Sequence, residues 1–209
     1  IGDTEYRVDD LGVVHQGPEY DRNYVSLRYD SIPELVRQIS CLRAGFLFGS
    51  CNIRSGRLLD IGYGNGDFLR VMREFGFDVY GHDISGYPVP ERSAYLTMSQ
   101  ALAQTWDVVT FFDSLEHIAD LTFFDSLKAK YVVITVPCVH ADATVEWFTT
   151  WKHRRSGEHI HHFTVNALSS FFRTRGFFPK ALSHIEDIIR KSDDPPNTVT
   201  VAYTSMMEL

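Results

Sequence analysis

The sequence predicts an α/β fold in which parallel strands alternate with helices and a ligand sits at the carboxyl ends of the strands. Two stretches carry that reading. From Arg57 to Asp83 the chain reads as strand, glycine loop, helix and second strand. From Trp106 to Val136 the apolar runs WDVVTFF and YVVITV have the composition of parallel strands buried on both faces. With 209 residues, 44% of them hydrophobic, the chain is long and apolar enough for one domain around a large core, which argues against general disorder.

Taken in order, residues 1–31 are polar and rich in tyrosine (Tyr6, Tyr20, Tyr24, Tyr29), and 1–18 read as irregular or a loose hairpin ahead of Gly17-Pro18. Pro33 suits the first turn of a helix, and Leu35, Val36, Ile39, Leu42 and Phe46 give Glu34–Phe48 an apolar stripe. Residues 1–50 thus form a lead-in to a single domain spanning 1–209. Leu58, Leu59 and Ile61 make the first core strand. After the glycines, Phe68, Leu69, Val71, Met72 and Phe75 fall at helical spacing, and Gly76 ends the helix. Val79 and Tyr80 open the next strand, which closes on Asp83.

Pro88 and Pro90 break any helix after Asp83 and leave a loop. Ala94–Met98 reads as a short third strand, Ser99–Gln104 as a helical turn, and Leu121–Ala129 as an amphipathic helix before YVVITV. Thr164 caps a helix over Val165–Arg175 that Gly176 ends. Phe177–Ile189 holds a further strand, DPPN (194–197) is a turn, and Thr198–Tyr203 is the last strand.

The chemistry is concentrated at Gly62-x-Gly64-x-Gly66. Glycines there let the backbone turn and approach a ligand with no Cβ in the way. An acid about twenty residues on, Asp83, is placed to accept bonds from both hydroxyls of a ribose. The dinucleotide fingerprint is G-x-G-x-x-G, which this loop lacks, and Asp60 before it would repel a pyrophosphate.

D-x-G-x-G-x-G from Asp60 to Gly66 resembles motif I of the class I S-adenosylmethionine-dependent methyltransferases, with Asp83 as their post-motif acid. The phrase W-D-V-V-x-x-x-D-x-L-E-H-I from Trp106 to Ile118 resembles the strand-four region of their small-molecule, ubiquinone-biosynthesis type. The resemblance covers roughly residues 30–205. It implies a Rossmann-like, mostly parallel sheet of seven strands with the last antiparallel. It also implies S-adenosyl-L-methionine as cofactor, held by Asp60, Gly62, Tyr63, Gly64, Gly66, Asp83, Ile84, Phe112 and Asp113. Methyl transfer to a small-molecule acceptor, a hydroxyl, follows. The other classes are a cofactor-binding module without catalysis and an NAD-dependent oxidoreductase, the latter opposed by the glycine spacing. DPPN is like the tetrad of nucleic-acid amino-methyltransferases but stands before the last strand instead of after strand four, so adenine or glutamine N-methylation is disfavoured.

Residues 138–163 do not fit the core pattern and read as a lid after strand five, where insertions lie over the cofactor's methyl group. The lid carries Trp147, Trp151, the basic run Lys152–Arg155, and Glu158, His159, His161 and His162. Imidazoles titrate near neutrality, which makes a histidine here a candidate general base for a hydroxyl acceptor. His159 is the first choice, matching the family's E-H-x-x-x-F-T phrase, and His162 the second. No metal is expected: alternate residues of an extended segment share a face, so His159 and His161 converge while His162 points away, and no second ligand cluster stands out. The basic run is a solvated turn or a clamp for an anionic acceptor. A net charge of -7 opposes a nucleic-acid footprint. Cys41, Cys51 and Cys138 read as reduced thiols, there is no apolar run long enough to span a membrane, and a cytoplasmic location is expected.

Overall fold

A computed structural model describes residues 7–8, 14–15, 25–26, 29, 31–85, 87–155, 157–190 and 196–208. It opens with strands β1 (Arg7–Val8) and β2 (Val14–His15), paired antiparallel as the loose hairpin predicts. Helix α1 (Pro33–Cys51) starts on its proline and ends on Asn52 in the left-handed conformation. Then come β3 (Arg57–Ile61), α2 (Asp67–Glu74), β4 (Asp78–His82), β5 (Ala94–Tyr95) and α3 (Met98–Leu102). Thr97 and Gln100 close α3 with a capping box. The chain continues through β6 (Thr105–Phe112), β7 (Lys128–Pro137), α4 (Val145–Thr150), β8 (His161–His162), α5 (Val165–Arg173), β9 (Phe177–Ser183), α6 (Ile185–Arg190) and β10 (Thr198–Ser205).

The main sheet has the order β5-β4-β3-β6-β7-β10-β9, with β10 antiparallel to both neighbours and the other pairs parallel. That is the seven-stranded sheet with an antiparallel last strand. Alternate residues of the central strands feed two cores. Leu59, Val109, Phe111, Ile134 and Tyr203 face one side, with Phe124 and Phe172. Leu58, Val108, Phe112, Val133 and Ala202 face the other, against Leu47 of α1 and Met72 of α2. Period two along each strand explains the division.

From β3 the chain runs outward through β4 to β5, then returns to β6 on the other side of β3. The reversal leaves a crevice at the carboxyl ends of β3 and β6, the place where open α/β sheets bind ligands. A second, three-stranded sheet, β1-β2-β8, ties the N-terminal strands to the segment after β7 through Val14↔His162 and His15↔His161.

One expectation changes and two are refined. No α-helix forms over Leu121–Ala129: Asp120 accepts bonds from the amide and hydroxyl of Thr122, a 3-10 turn spans Thr122–Ser126, and β7 has already begun at Lys128. Phe177–Ile189 divides into β9 and the separate helix α6. The segment expected as a lid, residues 138–163, contains α4, capped by Thr144, which accepts from the amide of Trp147. Of DPPN, Asp194 and Pro195 lie outside the described residues.

Candidate active site

The glycine loop follows β3 and is pinned at both ends. The amide of Gly62 donates to the carbonyl of His82 at 2.7 Å, and that of Gly66 donates to Tyr63 at 2.8 Å. Gly62, Gly64 and Gly66 all have positive φ, 79°, 56° and 76°. A Cβ on Gly62 would stand 2.2 Å from Cβ of Ser114, and one on Gly66 would stand 2.3 Å from Cγ of Pro90. These two glycines are therefore required by the protein's own packing, and only Gly64, facing the Tyr29 ring at 3.1 Å, has a yielding neighbour. Asp83 is 4% exposed. Its two carboxylate oxygens accept from the amides of Gly64 (2.9 Å) and Ser85 (2.8 Å), so it braces the loop and keeps lone pairs toward the cavity.

Two cavities meet at Tyr29, Gly62 and Asp113. The larger, about 380 Å³, is lined by Gly64, Asp83, Ile84, Met98, Ser114 and His117. The smaller, about 260 Å³, is bounded by an apolar face of α1 (Leu35, Val36, Ile39) and by Phe68 and Phe112, with Lys152, His153, Arg43 and Arg190 as its basic side. Asp60 also lines the smaller cavity and is 2% exposed, with Thr110 donating to it at 2.7 Å. Burial raises its carboxyl to about 7 against the lowering effects of Thr110 and Arg43.

Asp113, with φ 53°, stands in a conformation uncommon for a non-glycine residue. It accepts from Arg43 at 2.6 Å and from Arg190. Both arginines also bind the fully buried Glu186 of α6, Arg43 at 2.8 Å and Arg190 through Nε at 2.9 Å, and Thr135 donates to Glu186 at 2.8 Å. Burial pushes Glu186 up, but the two guanidiniums outweigh it and hold its carboxyl below the ordinary range. Two cations and two anions thus form a closed set behind the smaller cavity.

Of the nine residues expected at the cofactor, eight line one cavity or both. Gly66 lines neither, and its amide closes the turn on Tyr63. The two histidines expected as bases are displaced. Neither His159 nor His162 lies on a wall of either cavity; they are 3% and 1% exposed, and burial lowers His159 to about 2. His162 packs edge-on against Phe148, with ring centroids 5.1 Å apart. Both are buried, His162 in β8 where it pairs with β2, and His159 just ahead of it, where the amide of Ile160 donates to the carbonyl of Glu116. His153 and His117 take the wall positions. Arg43 and Arg190 were missed, since nothing in sequence distinguishes them from solvated helical arginines.

The methyltransferase domain family model matches residues 35–179. The chain belongs to the methyltransferase domain family. No curated protein matches it. Among solved structures, the 1,6-didemethyltoxoflavin-N1-methyltransferase of Burkholderia thailandensis, bound to 1,6-didemethyltoxoflavin and S-adenosylhomocysteine, is similar at 16% identity and a TM-score of 0.60. The match covers 96% of this chain and 99% of that one. The magnesium protoporphyrin IX methyltransferase of Synechocystis PCC 6803, bound to S-adenosylhomocysteine, is similar at 16% identity and a TM-score of 0.57, covering 84% of this chain and 86% of that one. Among the described residues of this methyltransferase no helix is long and apolar enough to cross a membrane.

Proposed function

We propose that the protein transfers a methyl group from S-adenosylmethionine to a hydroxyl of a small, anionic acceptor. The reading rests on one observation: a cavity equipped for an adenosyl group adjoins, at Gly62 and Asp113, a second cavity with an apolar wall and a basic side. The residues fit the cofactor. Asp83 stands at the end of β4 with lone pairs for a ribose, and Met98 offers an apolar contact for a base. A buried carboxyl with its pKa near neutrality, Asp60, gains from a neighbouring ammonium, which offsets the cost of its charge. Bound there, S-adenosylmethionine supplies an electrophilic methyl that needs little chemical help.

The chain's task is then to hold the acceptor in line, ~3–3.5 Å from the methyl carbon, and that alone can supply a large part of the barrier reduction. Leu35, Val36 and Ile39 pack on the acceptor's apolar body, and Lys152 pairs with its anionic group. His153 replaces His159 and His162 as proton acceptor: its Nε2 is buried without a hydrogen-bond partner, and burial holds its pKa down at about 4, so it is neutral at pH 7. With S-adenosylmethionine held by Asp60, Gly64 and Asp83, a hydroxyl acceptor would receive the methyl group, and His153 would take the hydroxyl proton. The relatives bound to S-adenosylhomocysteine, and the toxoflavin and protoporphyrin acceptors in their names, support a small-molecule substrate.

The test is S-adenosylhomocysteine release with a panel of hydroxylated carboxylic acids and their amides. Acids turning over faster, with the advantage lost in Lys152→Ala, is the expected result. Equal rates for acids and amides in the parent overturn the anionic acceptor.

A further inference from the structure

The loop after β6 and the segment before β8 come together on the flank of the larger cavity, and each brings metal-ligand chemistry. A carboxylate oxygen of Glu116 and one ring nitrogen each of His117 and His159 all lie within 4.8 Å of one another. We propose that Glu116, His117 and His159 form a binding site for a first-row divalent cation of the zinc class.

The surroundings are built for it. Glu116 and His159 are 1% and 3% exposed, so the group is an interior one and no surface accident. His117 gives its Nδ1 to the carbonyl of Glu158 at 2.6 Å. A carbonyl only accepts, so Nδ1 carries the proton and Nε2 is left with its lone pair, the arrangement that orients metal-bound histidines. The His159 ring stands edge-on to His117, centroids 4.8 Å apart, and its Nδ1 is buried with no hydrogen-bond partner. The backbone ties the two segments together where the amide of Ile160 donates to the carbonyl of Glu116 at 2.7 Å, and within the second segment the amide of His159 donates to the carbonyl of Arg155 at 3.1 Å.

Two imidazoles and one carboxylate suit zinc and its neighbours better than magnesium, which prefers oxygen ligands and keeps its waters. Ligand bonds of ~2.0–2.2 Å place tetrahedral donors roughly 3.3 Å apart, within reach of small side-chain rotations from the present spacing. Three protein ligands leave a position open, as catalytic zinc sites do. His117 itself lines the larger cavity, with Ile118 and Ile160 beside it. The sequence offered His161 as the partner for His159, with His162 pointing away. The fold instead gives His161 Nε2 to the carbonyl of Ile118 at 2.6 Å and buries His162 among aromatic rings.

Metal binding is read without cofactor or acceptor, so it succeeds or fails separately from the methyl-transfer reading. The chelator-treated full chain is titrated with cobalt(II), following its visible absorption, and then with zinc as competitor. One equivalent of cobalt, displaced by zinc, is expected. Glu116→Gln and His159→Gln should each weaken binding by at least about tenfold and change the absorption bands. His184→Gln, a histidine bonded instead to the carbonyl of Thr198, should titrate like the parent. Circular dichroism checks folding, and if the buried variants unfold, the half-buried His117→Gln carries the same comparison. Absence of a saturating signal near one equivalent, or ligand variants that titrate like the parent, overturns the site.

Discussion

Asp83 and Asp60 divide the work at the cofactor end by the way each is buried. Asp83 uses one lone pair of each oxygen on the amides of Gly64 and Ser85, so it holds the loop and, in the proposed cofactor site, keeps lone pairs for a ribose. Asp83→Ala is therefore expected to lower S-adenosylmethionine affinity by roughly tenfold to a hundredfold, since bonds to a charged group are worth about 1.5–3 kcal/mol. It should also lower the melting temperature, because two buried amides lose their acceptor; unchanged affinity by calorimetric titration would remove the assignment. Asp60 gives a pH dependence. Raised from 3.8 to about 7 by burial, it is mostly protonated at pH 6 and mostly ionised at pH 8, and only the ionised form attracts an ammonium. Cofactor affinity should thus rise by about tenfold from pH 6 to pH 8, and Asp60→Asn should flatten that rise.

At the scale of elements, the glycine loop and helix α6 each answer to something distant in sequence. Gly62→Ala pushes a Cβ into Ser114 and strains a left-handed residue, together roughly 2–4 kcal/mol. Ser114→Gly in the same chain opens the space, so the double variant should recover the packing share of that loss in urea unfolding. No recovery would mean the ligand's needs, and not Ser114, fix the glycine. Helix α6 is held through Glu186, which sits between Arg43 and Arg190. Removing one partner from a buried set leaves charge uncompensated, so Glu186→Ala should cost about 3–5 kcal/mol by denaturant unfolding. A loss under 1 kcal/mol would show that Asp113 alone satisfies both arginines.

The main sheet carries both cavities at the carboxyl ends of β3 and β6, so ligands should stabilise it as a unit. S-adenosylhomocysteine at a hundredfold over its Kd is expected to add about 2.7 kcal/mol, which is roughly 5–11 °C in a chain of this size. The rate should respond to pH through His153. With a pKa lowered to about 4, its imidazole is neutral above that value and protonated below it. Single-turnover rates should consequently stay level from pH 6 to pH 8 and fall below about pH 5, a loss that His153→Gln makes uniform. A rate that climbs through pH 6.5 would point to an unshifted histidine instead.

The amino-acid sequence by itself determined the strands, the glycine loop and its flanking acids, because strand periodicity, positive-φ turns and an acid at a strand end are local and leave a pattern along the chain. Asp60, Gly62, Gly64 and Asp83 were legible for that reason. Arg43 and Arg190 were not: their role exists only once α1 and α6 pack against Asp113 at the end of β6. The histidines of the lid were visible as a cluster, but their direction was decided by pairing. One residue of register in β8, set by Val14↔His162 and His15↔His161, sends His162 into aromatic packing and leaves His159 beside Glu116 and His117. Which side chains share a pocket depends on contacts between segments far apart in the chain, and only the tertiary structure brings those segments together.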